Sequence, residues 1–220
     1  VMHAAIWFAL SEQRSTQVRL WCISGIISGV SVVCLSMRGV VSEFVFIYVG
    51  QLLMILGNMG RVIALRMYIP KSLKNTLIFY IFSGAIYFIV ITSWLEINKP
   101  IQQSISLFFG FYTVICLDYF FVGYALYKKS QTLGPRLVMI AGLTFSFSLG
   151  FKTLSVMLGL GAQGPYDPGL DQYVMMVGQF VAITLSSIGF LRIFLERREN
   201  MKLETERNLA AAEGKAGLLA

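Results

Sequence analysis

The run Tyr173-Val-Met-Met-Val-Gly-Gln-Phe-Val-Ala-Ile-Thr-Leu-Ser-Ser-Ile-Gly-Phe-Leu-Arg-Ile-Phe-Leu195 passes without interruption into Glu196-Arg-Arg-Glu-Asn-Met-Lys-Leu-Glu-Thr-Glu-Arg207. The first segment makes about 35 Å of helix, enough to cross a hydrocarbon core of about 30 Å. The second lacks Gly and Pro and is rich in charged helix formers, so the same helix is expected to leave the membrane and continue into water. The rest of the chain carries the same signature. Of 220 residues, 56% are hydrophobic and only 13% charged, with a mean hydropathy of +0.71. A soluble domain carries about 25% charge. Disorder and an ordinary soluble enzyme are thereby excluded.

Working back from Tyr173–Leu195, further spans are predicted at Leu20–Met37, Phe44–Leu65, Thr76–Leu95, Ile105–Tyr127 and Leu137–Leu158. Val1–Leu10 is apolar but makes only about 15 Å of helix. With no basic leader and no small-residue cleavage site, it reads as the cut end of a longer first span rather than as a signal peptide. The predicted fold is all-α: a polytopic membrane bundle of seven spans, the first truncated, with the last helix extended into the cytoplasm. Residues 1–195 form the bundle and 196–220 the protruding helix.

The links set the orientation. Arg14, Arg19, Arg66, Lys71, Lys74, Lys128, Lys129 and Arg136 fall on one side, and only Arg38 and Lys99 on the other. By the positive-inside rule the amino end lies outside and the basic tail in the cytoplasm. Trp94 and Tyr173 near the outer ends, and Tyr68 and Tyr127 near the inner ends, occupy interfacial positions. The net charge of +7 therefore reads as topology, and the basic inner face suits anionic lipid headgroups rather than nucleic acid. All five prolines are expected in links, and the outer link Gly159–Asp171 reads as a structured turn, a small lid or a plain connector. No internal repeat relates the first three spans to the last three. Cys22, Cys34 and Cys116 lie inside apolar runs, and neither a disulfide framework nor a metal spacing is present.

Charges at membrane depth face a bundle interior or a cavity. Three qualify: Arg61, Asp118 and Lys152. Asp118 and Lys152 are about 9 Å apart along the membrane normal, but their side chains lean toward each other on oppositely running helices. Either they pair, directly or through water, or Lys152 snorkels outward and Asp118 pairs with Arg61. Arg61 itself reads as an interfacial anchor or as part of a polar face with Gln51 and Asn58. A second stripe runs through Thr144, Ser148, Lys152 and Ser155, and a third through Gln172, Gln179 and Ser186. Such stripes make a wet centre able to hold a small ligand, or serve interhelical packing. Gly25, Gly29, Ser24 and Ser28 form small-xxx-small pairs that read as packing. Along the last helix Phe194, Met201 and Asn208 recur at sevens, a weak dimer seam or a solvated face.

No catalytic constellation can be assembled. His3 is the sole histidine and has no Ser–Asp or Cys partner pattern, no Gly-rich phosphate loop is present, and no residues are spaced as metal ligands. Asp118 alone cannot do paired acid–base chemistry.

The terminal residues Ala211-Ala-Glu-Gly-Lys-Ala-Gly-Leu-Leu-Ala220 resemble the stretch that runs into the phospho-accepting histidine box of bacterial sensor histidine kinases, hybrid ones included. Lys215, Leu218, Leu219 and Ala220 match it, and Gly217 departs from the usual acidic residue. Trp21, Gly25, Gly29, Arg38, Gly39, Phe44, Gly50, Leu53, Gly57 and Arg66 resemble the membrane modules shared by sensor kinases and GGDEF-type signalling proteins.

These resemblances imply a sensory input module in the bacterial inner membrane. The stimulus, unknown in kind, would act at the outer face or in the bundle and be relayed by Phe194, Met201 and Asn208. They further imply a homodimer, and a kinase core beyond Ala220 that would use ATP and Mg and phosphorylate a response regulator. No cofactor is expected in the chain itself. The alternatives are the input module of a diguanylate cyclase and a small seven-span transporter of SWEET-like count and orientation. A rhodopsin-like photoreceptor is disfavoured, because the last span has no lysine to hold retinal.

Overall fold

In hydrocarbon a backbone N–H or C=O finds no water, so an apolar segment must close its own hydrogen bonds as a helix. The computed structural model, which describes residues 3, 6–7, 10, 15–37, 40, 42, 45–69, 73–96, 101–160 and 169–217, follows this rule. Among the described residues there are six α-helices and no strand: α1 (Thr16–Ser36), α2 (Gln51–Arg66), α3 (Leu73–Glu96), α4 (Ile101–Ser130), α5 (Leu133–Met157) and α6 (Leu170–Gly217). A π-helical turn, Val45–Gly50, feeds directly into α2.

Among the described residues five helical segments are long and apolar enough to cross a membrane, against the seven spans expected for the whole chain. Two expected spans account for the difference. Val1–Leu10 lies mostly outside the described residues, although Ile6 and Leu10 are buried in the core. The expected span Thr76–Leu95 is helical throughout, but its described apolar stretch is Asn75–Tyr87, about 20 Å of helix against a core of about 30 Å.

Helix ends follow local chemistry. Ser15, in extended conformation, caps α1 by accepting from the Val18 N–H at 3.4 Å. Between α4 and α5 the link is only Gln131 and Thr132. Gln131 adopts a left-handed φ of 54° and donates to the Tyr127 carbonyl at 2.8 Å, an αL cap that reverses the chain at once. Pro135 was expected in this link but stands inside the first turn of α5, where the missing N–H has no intrahelical partner to lose. At the other end of α5, Gly159 has φ 69° and donates to Val156, while Leu160 donates to Ser155. This is the Schellman pattern, which glycine enters without a Cβ penalty. The rest of the link beyond Leu160, residues 161–168, lies outside the described residues.

Helices in lipid gain little from burying apolar surface, so close backbone approach must hold them together. Three seams do this. On α1, Ser24 and Ser28 press against Gly60 and Gly57 of α2. Between α4 and α5, a Cβ on Gly142 would lie 2.4 Å from the Phe120 backbone nitrogen, and one on Gly123 2.7 Å from that of Met139. Between α5 and α6, Gly134 and Gly189 face each other's backbone, and Gly178 faces Ser148. The expected packing pairs on α1 are thus partly realised. Ser24 and Ser28 pack as anticipated and Gly25 lies under the His3 ring, but Gly29 has nothing within 4 Å.

Trp21 of α1 stacks on Phe190 of α6, with ring centroids 4.2 Å apart and planes at 5°, and so joins the α1–α2 pair to the α4–α5–α6 bundle. Helix α3 lies at the periphery, with Ile81 73% and Phe82 68% exposed. Phe147 of α5 and Phe180 of α6 are exposed to a similar degree. A soluble monomer rarely displays so much contiguous apolar surface. The exposed side chains make a lipid-facing coat, and the chain is a helical membrane bundle.

Gly142→Val should therefore lower stability by about 1–3 kcal/mol through overpacking, whereas Gly29→Val should leave it nearly unchanged. Unfolding of the two variants in detergent, followed by circular dichroism against denaturant, checks this contrast.

Candidate functional site

The buried polar residues collect into three separate clusters at different depths rather than one wet centre. The first joins α1, α2 and α4. Arg61 is 2% exposed and its Nη2 donates to Asn58 Oδ1 at 2.7 Å and to Ser28 Oγ at 3.1 Å. Asn58 Nδ2 donates in turn to its own helix at Met54 O (2.9 Å) and to the Tyr112 hydroxyl. Gln51, further along the same face, accepts from the Tyr87 hydroxyl of α3 at 2.5 Å. The spacing of Gln51, Asn58 and Arg61 predicted a common buried face, and all three are buried. The interfacial-anchor reading of Arg61 fails, because Asn58 and Ser28 hold the guanidinium inside the bundle instead of letting it extend to the edge.

The second cluster is centred on Asp118 of α4, which accepts from Arg66 at the end of α2 and from the Tyr80 hydroxyl of α3. The third is a buried ion pair. Lys152 of α5 donates to Asp171, in the first turn of α6, at 2.6 Å, with side-chain exposures of 3% and 5%. The expected Asp118–Lys152 pair does not form, and neither does the alternative Asp118–Arg61 pair. Helix α4 turns Tyr119 toward Phe145 of α5 and Asp118 the other way, toward α2 and α3. Each charge then meets a partner at its own depth, so the axial gap between Asp118 and Lys152 is never bridged. Lys152 does not snorkel.

The stripe on α5 serves two purposes. Lys152 enters the ion pair, whereas Thr144 and Ser148 bond back to their own helix at Ile140 and Phe145. Both also line an apolar groove of about 410 Å³ between α5 and α6. On α6, Ser186 bonds to its own Ile183 and Gln179 is half-buried; neither joins the three clusters. Of the relay residues, Phe194 is buried, while Met201 and Asn208 are exposed, so they share no contact face within one chain.

Sequence reasoning missed the tyrosines. Tyr80 and Tyr87 stand seven apart on α3, and Tyr112 and Tyr119 seven apart on α4, a period that puts each pair on one face. It also assigned Arg66 to topology and Asp171 to the outer link. A further contact lies where α6 leaves the bundle. Arg197 donates to the Tyr68 carbonyl at 3.3 Å and sits over the Tyr68 ring at 5.2 Å. Burial pushes the Tyr68 hydroxyl up to about 12, against the opposing pull of the Arg197 charge.

Among the described residues no group of histidine, cysteine or carboxylate side chains is arranged to hold a metal ion. Comparison with models of known families, with curated proteins and with solved structures gives no match.

Removing one member of a buried ion pair strands the other. Lys152→Met should cost about 3–5 kcal/mol, and adding Asp171→Leu should recover most of that loss. Unfolding titrations of the single and double variants in mixed micelles measure both effects.

Proposed function

We propose that the chain is the transmembrane sensory input module of a bacterial two-component sensor histidine kinase. The observation that carries this reading is α6, a single helix of 48 residues. Its length of about 72 Å is more than twice the hydrocarbon thickness. Residues 201–212 are all exposed, and they lead into the decapeptide that resembles the approach to a phospho-accepting histidine. A helix of this form suits the transmission of a mechanical change out of a membrane bundle.

On this reading the amino-terminal segment and α3 complete seven spans, the amino end lies outside, and the charged half of α6 is cytoplasmic in the bacterial inner membrane. The chain works as a homodimer. Its kinase core binds ATP and Mg and passes a phosphoryl group to a response regulator. A stimulus acts by stabilising one helix arrangement over another. Two contacts give such a change a route into α6: the Trp21–Phe190 stack and the Arg197–Tyr68 contact.

The test is autophosphorylation from labelled ATP by the full-length parent protein in native membranes. Arg197→Ala is expected to change the basal phosphohistidine level at least fivefold, the low end of typical allosteric coupling. A Gly-Pro insertion after Glu199 is expected to set that level independently of the bundle. Unchanged autophosphorylation in both variants would overturn the reading, and formation of cyclic di-GMP from GTP would replace it with the cyclase alternative.

A further inference from the structure

Arg61 is a fully buried cation with incomplete bonding. Its Nη2 is occupied, but Nε and Nη1 have no hydrogen-bond partner. No carboxylate neutralises it among the described residues, because Asp118 is held by Arg66 and Tyr80, and Asp171 by Lys152. Taking a charge out of water costs several kcal/mol even after relaxation, and that cost is normally met by a counter-charge with good hydrogen bonds.

The surroundings of Arg61 share a chemical bias. Arg61 bonds to Ser28, one turn from the Gly25 that the His3 ring covers, and through Asn58 to Tyr112, which stands two turns from Tyr119 on the same face of α4. The His3 ring rests against Gly25 and lies 6.3 Å from the ring of Trp21. Three further polar atoms in this neighbourhood are buried without a partner: Trp21 Nε1, Tyr119 Oη and His3 Nε2. An indole N–H can only donate, a phenol readily donates, and the free guanidinium nitrogens only donate. The cluster therefore has donors to spare, one uncompensated positive charge and a shortage of acceptors.

From this we infer that Arg61, Trp21, Tyr119 and His3 form a binding site for a carboxylate. A carboxylate carries one negative charge and about four acceptor positions, and it matches the excess of the site in both charge and hydrogen bonding. A phosphate dianion would overcompensate a single guanidinium, and a neutral ligand would leave the charge unmet. The carboxylate can belong to a fatty acid arriving from the bilayer or to a small organic acid arriving from water. The inference rests on the buried geometry alone and does not depend on the kinase reading, since binding is measured on this chain directly.

The experiment uses the 220-residue chain in phospholipid nanodiscs, with empty discs as background. Labelled decanoate probes the bilayer source and labelled propionate the aqueous source, with decylammonium and chloride as controls. Saturable binding of decanoate or propionate, absent for decylammonium and at least a hundredfold weaker for chloride, is the expected result. A decanoate affinity far above that of propionate assigns the bilayer source, and equal affinities assign the aqueous one.

Trp21→Phe keeps the ring against Phe190, and Tyr119→Phe keeps the ring against Phe145. Tyr119→Phe removes only the unpartnered hydroxyl and should fold normally, whereas Trp21→Phe also loses two ring carbons at a fully buried position, so its binding is compared only in protein whose helicity and unfolding match the parent chain. Each should weaken binding about tenfold, the loss of one hydrogen bond to a charged acceptor. Arg61→Met should abolish binding. The inference is overturned by absence of saturable carboxylate binding, by equal binding of decylammonium or chloride, or by carboxylate affinities unchanged in folded Trp21→Phe and Tyr119→Phe proteins.

Discussion

A charged side chain at membrane depth costs about 2.5–3.5 kcal/mol on insertion scales, and meeting that cost organises this bundle. Asp118 is met by Arg66 and Tyr80, so that α2, α3 and α4 share one carboxylate. Lys152 is met by Asp171, which pins the first turn of α6 to α5. Each cluster is also a crosslink, and these polar crosslinks lie at different levels of the bundle. Small residues then allow the backbones between them to close. The peripheral helix α3 shows the arrangement most clearly, since Tyr80 and Tyr87 each place a hydroxyl on a polar residue of the inner helices while the faces around them point to lipid.

The helical architecture was legible because it follows from a local rule: apolar runs must satisfy their own backbones. The continuation of the last span into a charged helix was legible for the same reason, with no Gly or Pro between Arg192 and Ala212 to stop it. The common face of Gln51, Asn58 and Arg61 could be read from helical period alone. Partner choice could not. Pairing depends on how each helix is rotated and on which side chain lies at the same depth, and both are tertiary properties. Asp118 and Lys152 were sound candidates by axial distance and lean, but rotation of α4 separated them. Asp171 was hidden in a Gly- and Pro-rich link whose end proved to be the first turn of a helix.

The spacing that misled for charges was informative for tyrosines, whose hydroxyls complete two of the three clusters. A tyrosine in an apolar run is easily taken as core, because most of its surface is apolar. Its hydroxyl nonetheless seeks a partner when buried, so tyrosines at sevens on adjacent helices are a usable sign of an interior polar network.

The stack of Trp21 on Phe190 has a mechanical consequence. Phe190 stands about 30 Å from the start of α6 at Leu170 and about 40 Å from its end at Gly217. A stiff rod held near this point acts as a lever with unequal arms. Moving the Leu170 end sideways by about 1 Å swings the far end by about 1.3 Å in the opposite direction. The aromatic pair is then the fulcrum, and its position along α6 sets the ratio of the two arms.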